Sequence, residues 1–244
     1  MPYYYLLFIH ITNNIVLTDN GGGIRLRDKN NATTLSGIIS GTGNFWISYD
    51  GGVATLSGAN TYTGKTIFGS NLWAWGNNSA KAVVKSGSDT ALPNGTVLEF
   101  GIQHSDASLD MNGFNATVSE IATGNGVLPT TYAKPTITNS SESPSTLTVD
   151  VAQENSVTTR HINIDSKVTL QKTGAGTLTL NDVTGGGTIE LNQGKTVLIS
   201  DLSVSNLSVT GDAVLSSPLA GVERLWGAIT IKTARLIRPF IEPI

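Results

Sequence analysis

The sequence predicts an all-β protein, and within that class a parallel β-helix. Three observations carry the prediction. Apolar residues at the helical spacing i, i+3, i+4, i+7 are nearly absent, while short stretches of strict alternation recur along the chain. Gly- and Asn-rich turn clusters separate those stretches. A segment near residue 52 reappears, in altered form, near residue 176.

The alternating stretches include Ala116-Thr117-Val118-Ser119, Thr146-Leu147-Thr148-Val149, Thr177-Leu178-Thr179-Leu180, Thr188-Ile189-Glu190-Leu191 and Leu202-Ser203-Val204-Ser205. In a strand, successive side chains face opposite sides, so each stretch has one aliphatic face and one polar face. Thr and Val also suit a pleated surface. Asn20-Gly21-Gly22-Gly23, Asp50-Gly51-Gly52, Asn112-Gly113, Asn125-Gly126 and Gly185-Gly186-Gly187 supply the backbone freedom that tight turns need. Many short strands at near-regular spacing fit a sandwich, a barrel or a solenoid. Self-similarity selects the solenoid. Gly52-Val53-Ala54-Thr55-Leu56-Ser57 aligns with Gly176-Thr177-Leu178-Thr179-Leu180-Asn181, 124 residues later. After a two-residue gap, Gly64-Lys65-Thr66-Ile67 aligns with Gly186-Gly187-Thr188-Ile189. A repeat of this length holds about five coils of roughly 20–25 residues. About ten coils, spaced by roughly 4.8 Å, make a rod on the order of 50 Å long.

Composition narrows the function. Of 244 residues, 14% are charged, against about 25% in ordinary soluble domains. Thr, Ser, Asn and Gly together supply 101 of the 244 residues. The 39% hydrophobic share is enough for a core and argues against charge-driven disorder. A net charge of -3 and a pI near 5.6 argue against a basic nucleic-acid binder. The absence of cysteine excludes disulfides, cysteine nucleophiles and thiolate metal sites. The longest apolar run, Tyr3 to Ile9, is far short of the roughly 18 residues of a membrane-spanning helix. No Lys or Arg precedes that run and no small-residue cleavage site follows it, so it does not read as a signal peptide.

The segment Leu56-Ser57-Gly58-Ala59-Asn60-Thr61-Tyr62-Thr63-Gly64-Lys65-Thr66 resembles the signature of the autotransporter passenger-associated strand repeat, whose pattern reads like G-T-L-T-L-S-G-x-N-T-Y-T-G-G-T. Ile39-Ser40-Gly41-Thr42-Gly43 resembles its lead-in, and Leu109 to Val118 is similar to its LDLNGFNQTV strand. Ile137-Thr138-Asn139-Ser140-Ser141 with Thr146 to Val149 resembles the next strand. The resemblance spans about residues 34 to 200. Lys65 replaces a Gly of the pattern, and Asp182-Val183-Thr184 stands where the second signature would begin. The resemblance implies a right-handed parallel β-helix. It also implies a bacterial surface protein, extracellular or associated with the outer membrane: a stalk- or adhesin-like passenger whose partner is a host-surface or glycan ligand. The family's translocator is a C-terminal β-barrel, for which residues 218–244 are too short, so a longer parent chain is expected. The expected organisation is an N-terminal coil region over 1–33, repeats over 34–217, and an atypical tail or cap over 218–244. That tail carries Arg224, Lys232, Arg235 and Arg238 near Pro239 and Pro243.

Several constellations invite chemistry. Gly58 to Thr66 ends in Gly-Lys-Thr, but five residues separate its glycines where a phosphate-binding loop needs four, and no helix is expected after it. Gly194-Lys195-Thr196 has no upstream glycine at the required place. His161, Asn163 and Asp165 alternate with Ile162 and Ile164, which puts an imidazole and a carboxylate on one predicted strand face. A solvated coil face would look the same. His10 and His104 lack ligand partners at motif spacing, apart from Asp106 beside His104. Arg25 and Arg27 share a face, followed by Asp28, but no Asp-rich calcium repeat accompanies them. No G-x-S-x-G elbow starts a serine triad. Six Asn-x-Ser/Thr sequons, at Asn31, Asn77, Asn94, Asn115, Asn139 and Asn206, are near chance for this composition. Trp46 and Trp226 stand apart, whereas Trp73 and Trp75 flank Ala74 on one predicted face. Facing outward, that pair is a ligand-stacking platform; facing inward, it fills a wide coil.

The expectation is therefore a non-enzymatic β-helix segment with no catalytic, cofactor-binding or metal residues, and with Trp73 and Trp75 as the possible ligand platform. The alternative is a carbohydrate-active β-helix enzyme, a polysaccharide lyase or hydrolase. Such an enzyme needs several acids, or acids with Arg or Lys, converging in one groove.

Overall fold

The computed structural model describes residues 8–26, 31–49, 52–68, 83–100, 107–123, 135–200, 202–216, 225–231 and 235–237. Among them are 23 strands and no helix. All strand pairings between them are parallel. One unbroken register line runs through the stack: Phe8, Ala32, Val53, Val83, Ser108, Thr136, Asn163, Thr184, Ser203 and Trp226 are successive backbone partners. Ten partners in one column mean ten coils of a parallel β-solenoid. At about 4.8 Å per step the column is roughly 43 Å long. The expected fold class is therefore the observed one.

Each coil has three faces. The first carries the register line above. It begins with Phe8–Ile11, Ala32–Leu35 and Val53–Leu56. The second begins with Ile15–Leu17 against Ile39–Gly41. It continues where Thr61 and Thr63 donate to the carbonyls of Ile39 and Gly41 at 2.8 and 2.9 Å. Further along, Ser145–Asp150, Val168–Thr173 and Thr188–Leu191 stack on it. The third face runs through Gly22–Leu26, Phe45–Tyr49, Thr66–Phe68 and Thr96–Phe100. Later it holds the start of Thr177–Gly185, then Lys195–Leu198, Val214–Ser216 and Arg235–Ile237. The pairing crosses both expected segment boundaries, since Phe8–Ile11 pairs with Ala32–Leu35 and Leu202–Val209 with Leu225–Ile231.

Alternation decides what fills the tube. Ile24, Ile47, Phe68 and Phe100 are register partners on the third face. Phe68 and Phe100 meet edge to face, with centroids 5.4 Å apart. On the second face the ladder reads Leu147, Leu170, Ile189 and Leu207, all buried. Thr146, Thr148, Thr169 and Thr188 alternate with them on the outer side and stay partly exposed. Identical side-chain types thus stack along the axis because each strand's register partner has the same phase.

The internal repeat has a different meaning from the expected one. Val53–Leu56 lies on the first face, whereas its sequence counterpart, Thr177 to Leu180, lies on the third. Likewise Thr66–Phe68 lies on the third face and Thr188–Leu191 on the second. The cassette therefore returns rotated by one face rather than after a whole number of coils. This is possible because all three faces ask for the same alternation.

Coil length varies from 19 residues, between Thr184 and Ser203, to 30, between Val53 and Val83. The largest differences fall at the corner between the third and first faces. Fourteen residues separate Phe68 from Val83 there, while single residues, His161 and Asp182, turn the same corner lower in the stack.

Candidate functional site

The signature segment around Asn60 is a structural clamp. Asn60 is buried, and its amide bridges three coils: its Oδ1 accepts from Ile39 N at 2.8 Å and its Nδ2 donates to Ala91 O at 2.7 Å. Tyr62 is buried against Phe45, with ring centroids 5.8 Å apart. Its hydroxyl lies 2.6 Å from Thr66 Oγ1, which in turn lies 3.1 Å from Thr96 Oγ1. Burial, opposed by the Thr66 hydrogen bond, pushes the Tyr62 phenol well above its ordinary pKa. A Cβ on Gly58 would stand 2.1 Å from Gly37 O, and one on Gly64 would stand 2.3 Å from Gly43 O. Only glycine fits where corners stack that closely. Lys65 is drawn aside by Glu99, 2.7 Å from its Nζ. Gly58 to Thr66 thus runs from a corner to the start of the strand Thr66–Phe68, with no helix after it among the described residues.

Other corners repeat the device. Asn14 Oδ1 accepts from Ile38 N, Asn44 Oδ1 from Lys65 N, and Asn115 Oδ1 from Thr146 N, each reaching the next coil. Asn139 Oδ1 accepts from Gly113 N and Ser141 N, and its Nδ2 donates to Ser143 O and Lys167 O. Asp110 accepts from Asn112 N and Ser140 N at 3.0 and 2.9 Å, with Lys85 Nζ 3.7 Å away. Burial pushes the Asp110 carboxyl up, but the hydrogen bonds from Ser140 and Asn112 and the Lys85 charge outweigh it, holding the group below the ordinary carboxylate range. Lys172 occupies a core position in the column Val149, Lys172, Leu191, Val209. Its head reaches a corner and donates to Thr173 O, Gly174 O and Gln193 O at 2.6, 2.7 and 3.1 Å. Burial lowers its pKa, opposed by the Asp150 charge.

His161, Asn163 and Asp165 do not share one strand face. His161 sits at a corner with φ of +50°, which redirects the strand Ser156–Ile164 from the third face to the first. Its Nδ1 lies 2.7 Å from Asp182 Oδ2, the residue that turns the same corner one coil on, with φ of +55°. The Asp182 N–H donates to Ser200 Oγ. Asn163 points outward over Thr184, and Asp165 Oδ1 accepts from Lys167 N at the next corner. Left-handed backbone at two non-glycine residues is uncommon and worth functional attention. Sequence reading missed Asp182. The signal was the coil length itself, because 21 residues separate the partners along Ser156–Ile164 and Thr177–Gly185.

A second feature lies on the second face of coils three to five. Coil three has no assigned strand on this face between Leu56 and Thr66, and coil four runs through Ser88 to Gly95 as turns. Pro93 has no N–H to give a ladder. Two contiguous grooves open there, of about 470 and 330 Å³, sharing Asn60 and Asn94. Thr61, Thr63, Pro93 and Gly95 line the first; Asp89, Leu92, Asn115 and Thr117 line the second. Among the described residues neither lining contains Lys, Arg or His. The carboxylate among them, Asp89, accepts from Asn115 N at 2.7 Å. The described lining thus offers no set of converging acids and bases of the kind that bond cleavage needs. Pro93, followed by Asn94-Gly95, was the sequence signal that a strand would fail at this point.

Trp73, Trp75, Arg27, Asp28, His104, Asp106 and the Trp226 side chain lie outside the described residues. Trp46 lies over Gly21, where a Cβ would stand 2.6 Å from the indole ring. His10 Nε2 lies 2.7 Å from Ser36 Oγ. Among the described residues no three His, Cys, Asp or Glu side chains gather as a metal site, and no helix is long and apolar enough to cross a membrane. Compared with known protein families, with curated proteins and with solved structures, the chain finds no match.

Proposed function

We propose that this chain is a structural β-solenoid segment of a bacterial surface protein, an autotransporter-like passenger serving as a stalk or adhesin-like rod. The observation that carries this reading is the signature around Asn60. Its residues resemble the passenger-associated strand repeat, and three of them hold neighbouring coils together: Asn60 to Ile39 and Ala91, Tyr62 against Phe45, Gly64 against Gly43. The rigid, mostly uncharged exterior supports the same reading. A rod that projects a ligand-binding region needs stacking and little chemistry. The test is whole-cell immunolabelling in the organism of origin, with and without external protease. Labelling of intact cells that protease removes is expected. A signal confined to lysed cells overturns the surface reading.

The enzymatic alternative draws on the His161–Asp182 pair, where a carboxylate orients an imidazole. Release of reducing ends or unsaturated uronates from a panel of polysaccharides, abolished in His161→Gln, would favour it. No release from any member of the panel is the expected result.

A further inference from the structure

The grooves across coils three to five have a composition that selects a ligand class. We propose that they form one binding site for a neutral oligosaccharide. Beside the Asp89 carboxylate of coil four, the exposed groups offered are the hydroxyls of Thr61 and Thr63 on coil three and the side-chain amides of Asn94 on coil four and Asn115 on coil five. Such groups both donate and accept, as sugar hydroxyls do. Among the described residues no cation lines the site to neutralise a polyanion, and the Asp89 carboxylate would oppose one.

The backbone contributes as well. Asn60 N donates to Thr90 O and Gly95 N to Thr117 O, but among the described residues no hydrogen bond reaches the main-chain N–H or carbonyl of Tyr62, which lines the groove together with Pro93. Those two main-chain groups are left for a ligand or for water. This inference rests on the groove and stands whether or not the rod is displayed on a cell.

The test uses the full chain and two-dimensional amide NMR. The probes are neutral hexasaccharides (cello-, malto-, manno- and xylo-series) and a polygalacturonate hexamer as the anionic comparison. At least one neutral probe should shift the resonances of Thr61, Thr63, Asn94 and Asn115 and leave Thr179, on the third face, unmoved. The double variant Thr61→Ala/Asn94→Ala changes exposed side chains only, so its melting curve should match the parent's while affinity falls at least tenfold. Three results overturn the proposal: no neutral probe shifts these residues, the anionic hexamer binds more tightly than every neutral one, or the folded double variant binds undiminished.

Discussion

Replacing Asn60 by alanine should weaken the solenoid far more than its size suggests. The amide makes two buried hydrogen bonds, one to the coil before it and one to the coil after it. Both partner residues are almost fully buried: Ile39 is 1% exposed and Ala91 2%. Alanine leaves the Ile39 N–H and the Ala91 carbonyl without those partners, and a buried unpaired backbone group costs about 1–3 kcal/mol. The expected loss is therefore roughly 2–6 kcal/mol, with the side-chain cavity adding to it. Urea unfolding followed by circular dichroism reads this directly. With a slope of about 3 kcal/mol/M, a loss near 4 kcal/mol moves the midpoint down by more than about 1 M. Thr61→Ala, at the exposed neighbour, is the control and should stay within about 0.5 kcal/mol. Hydrogen exchange adds a local readout, because the Ile39 amide should lose protection before amides of the late coils do. If Asn60→Ala unfolds within about 0.5 kcal/mol of the parent and Ile39 keeps its protection, the clamp reasoning is wrong.

Three further outcomes follow from the same geometry. Lys172→Ala removes the donor to three corner carbonyls and opens space between Val149 and Leu191, so it should cost roughly 3–5 kcal/mol; Lys172→Met, which refills the space, should cost distinctly less in the same urea assay. Ser145 Oγ is buried without a partner, so Ser145→Ala should be neutral or raise stability by up to about 1 kcal/mol, measured by thermal melting. Burial raises the folded-state pKa of Tyr62, so its contribution to stability is complete below the unfolded phenol value of about 10 and declines as the pH rises above it. Tyr62→Phe should flatten that alkaline decline in a plot of unfolding midpoint against pH.

The fold was legible because its grammar is local. Alternation at Thr146 to Val149 or Thr188 to Leu191 identifies a strand and its inward side without reference to any partner. Stacking then follows, since every coil presents the same pattern to the next. The count of coils was legible from chain length and spacing. Assignment of strands to faces was not, because three faces with one grammar cannot be told apart by sequence, and the repeat at 52 and 176 lands on different faces for that reason. The site was less legible. His161 looked like one member of an outward row, but its positive φ turns the chain, and its partner Asp182 becomes visible only once the 21-residue coil is known. Lys172 reads as an exposed strand residue by chemistry and as a core residue by phase, and phase prevails because its ammonium reaches the corner carbonyls. The turns of Ser88 to Gly95 are signalled by Pro93-Asn94-Gly95, present in the sequence but meaningless until the coil it interrupts is identified.

The central claim is one continuous stack of ten coils, and spin-label distances test it most directly. The chain contains no cysteine, so pairs of introduced cysteines label cleanly. Ala32 is the fixed point, and Asn163, Thr184 and Ser203 are its fifth, sixth and seventh partners down one register column. At about 4.8 Å per coil the backbone separations are roughly 24, 29 and 34 Å. Double electron–electron resonance on the three pairs should give distances that rise by one coil spacing at each step. Distances that stay flat or fall along the series would mean that the chain folds back on itself, as a sandwich does, and would contradict the solenoid.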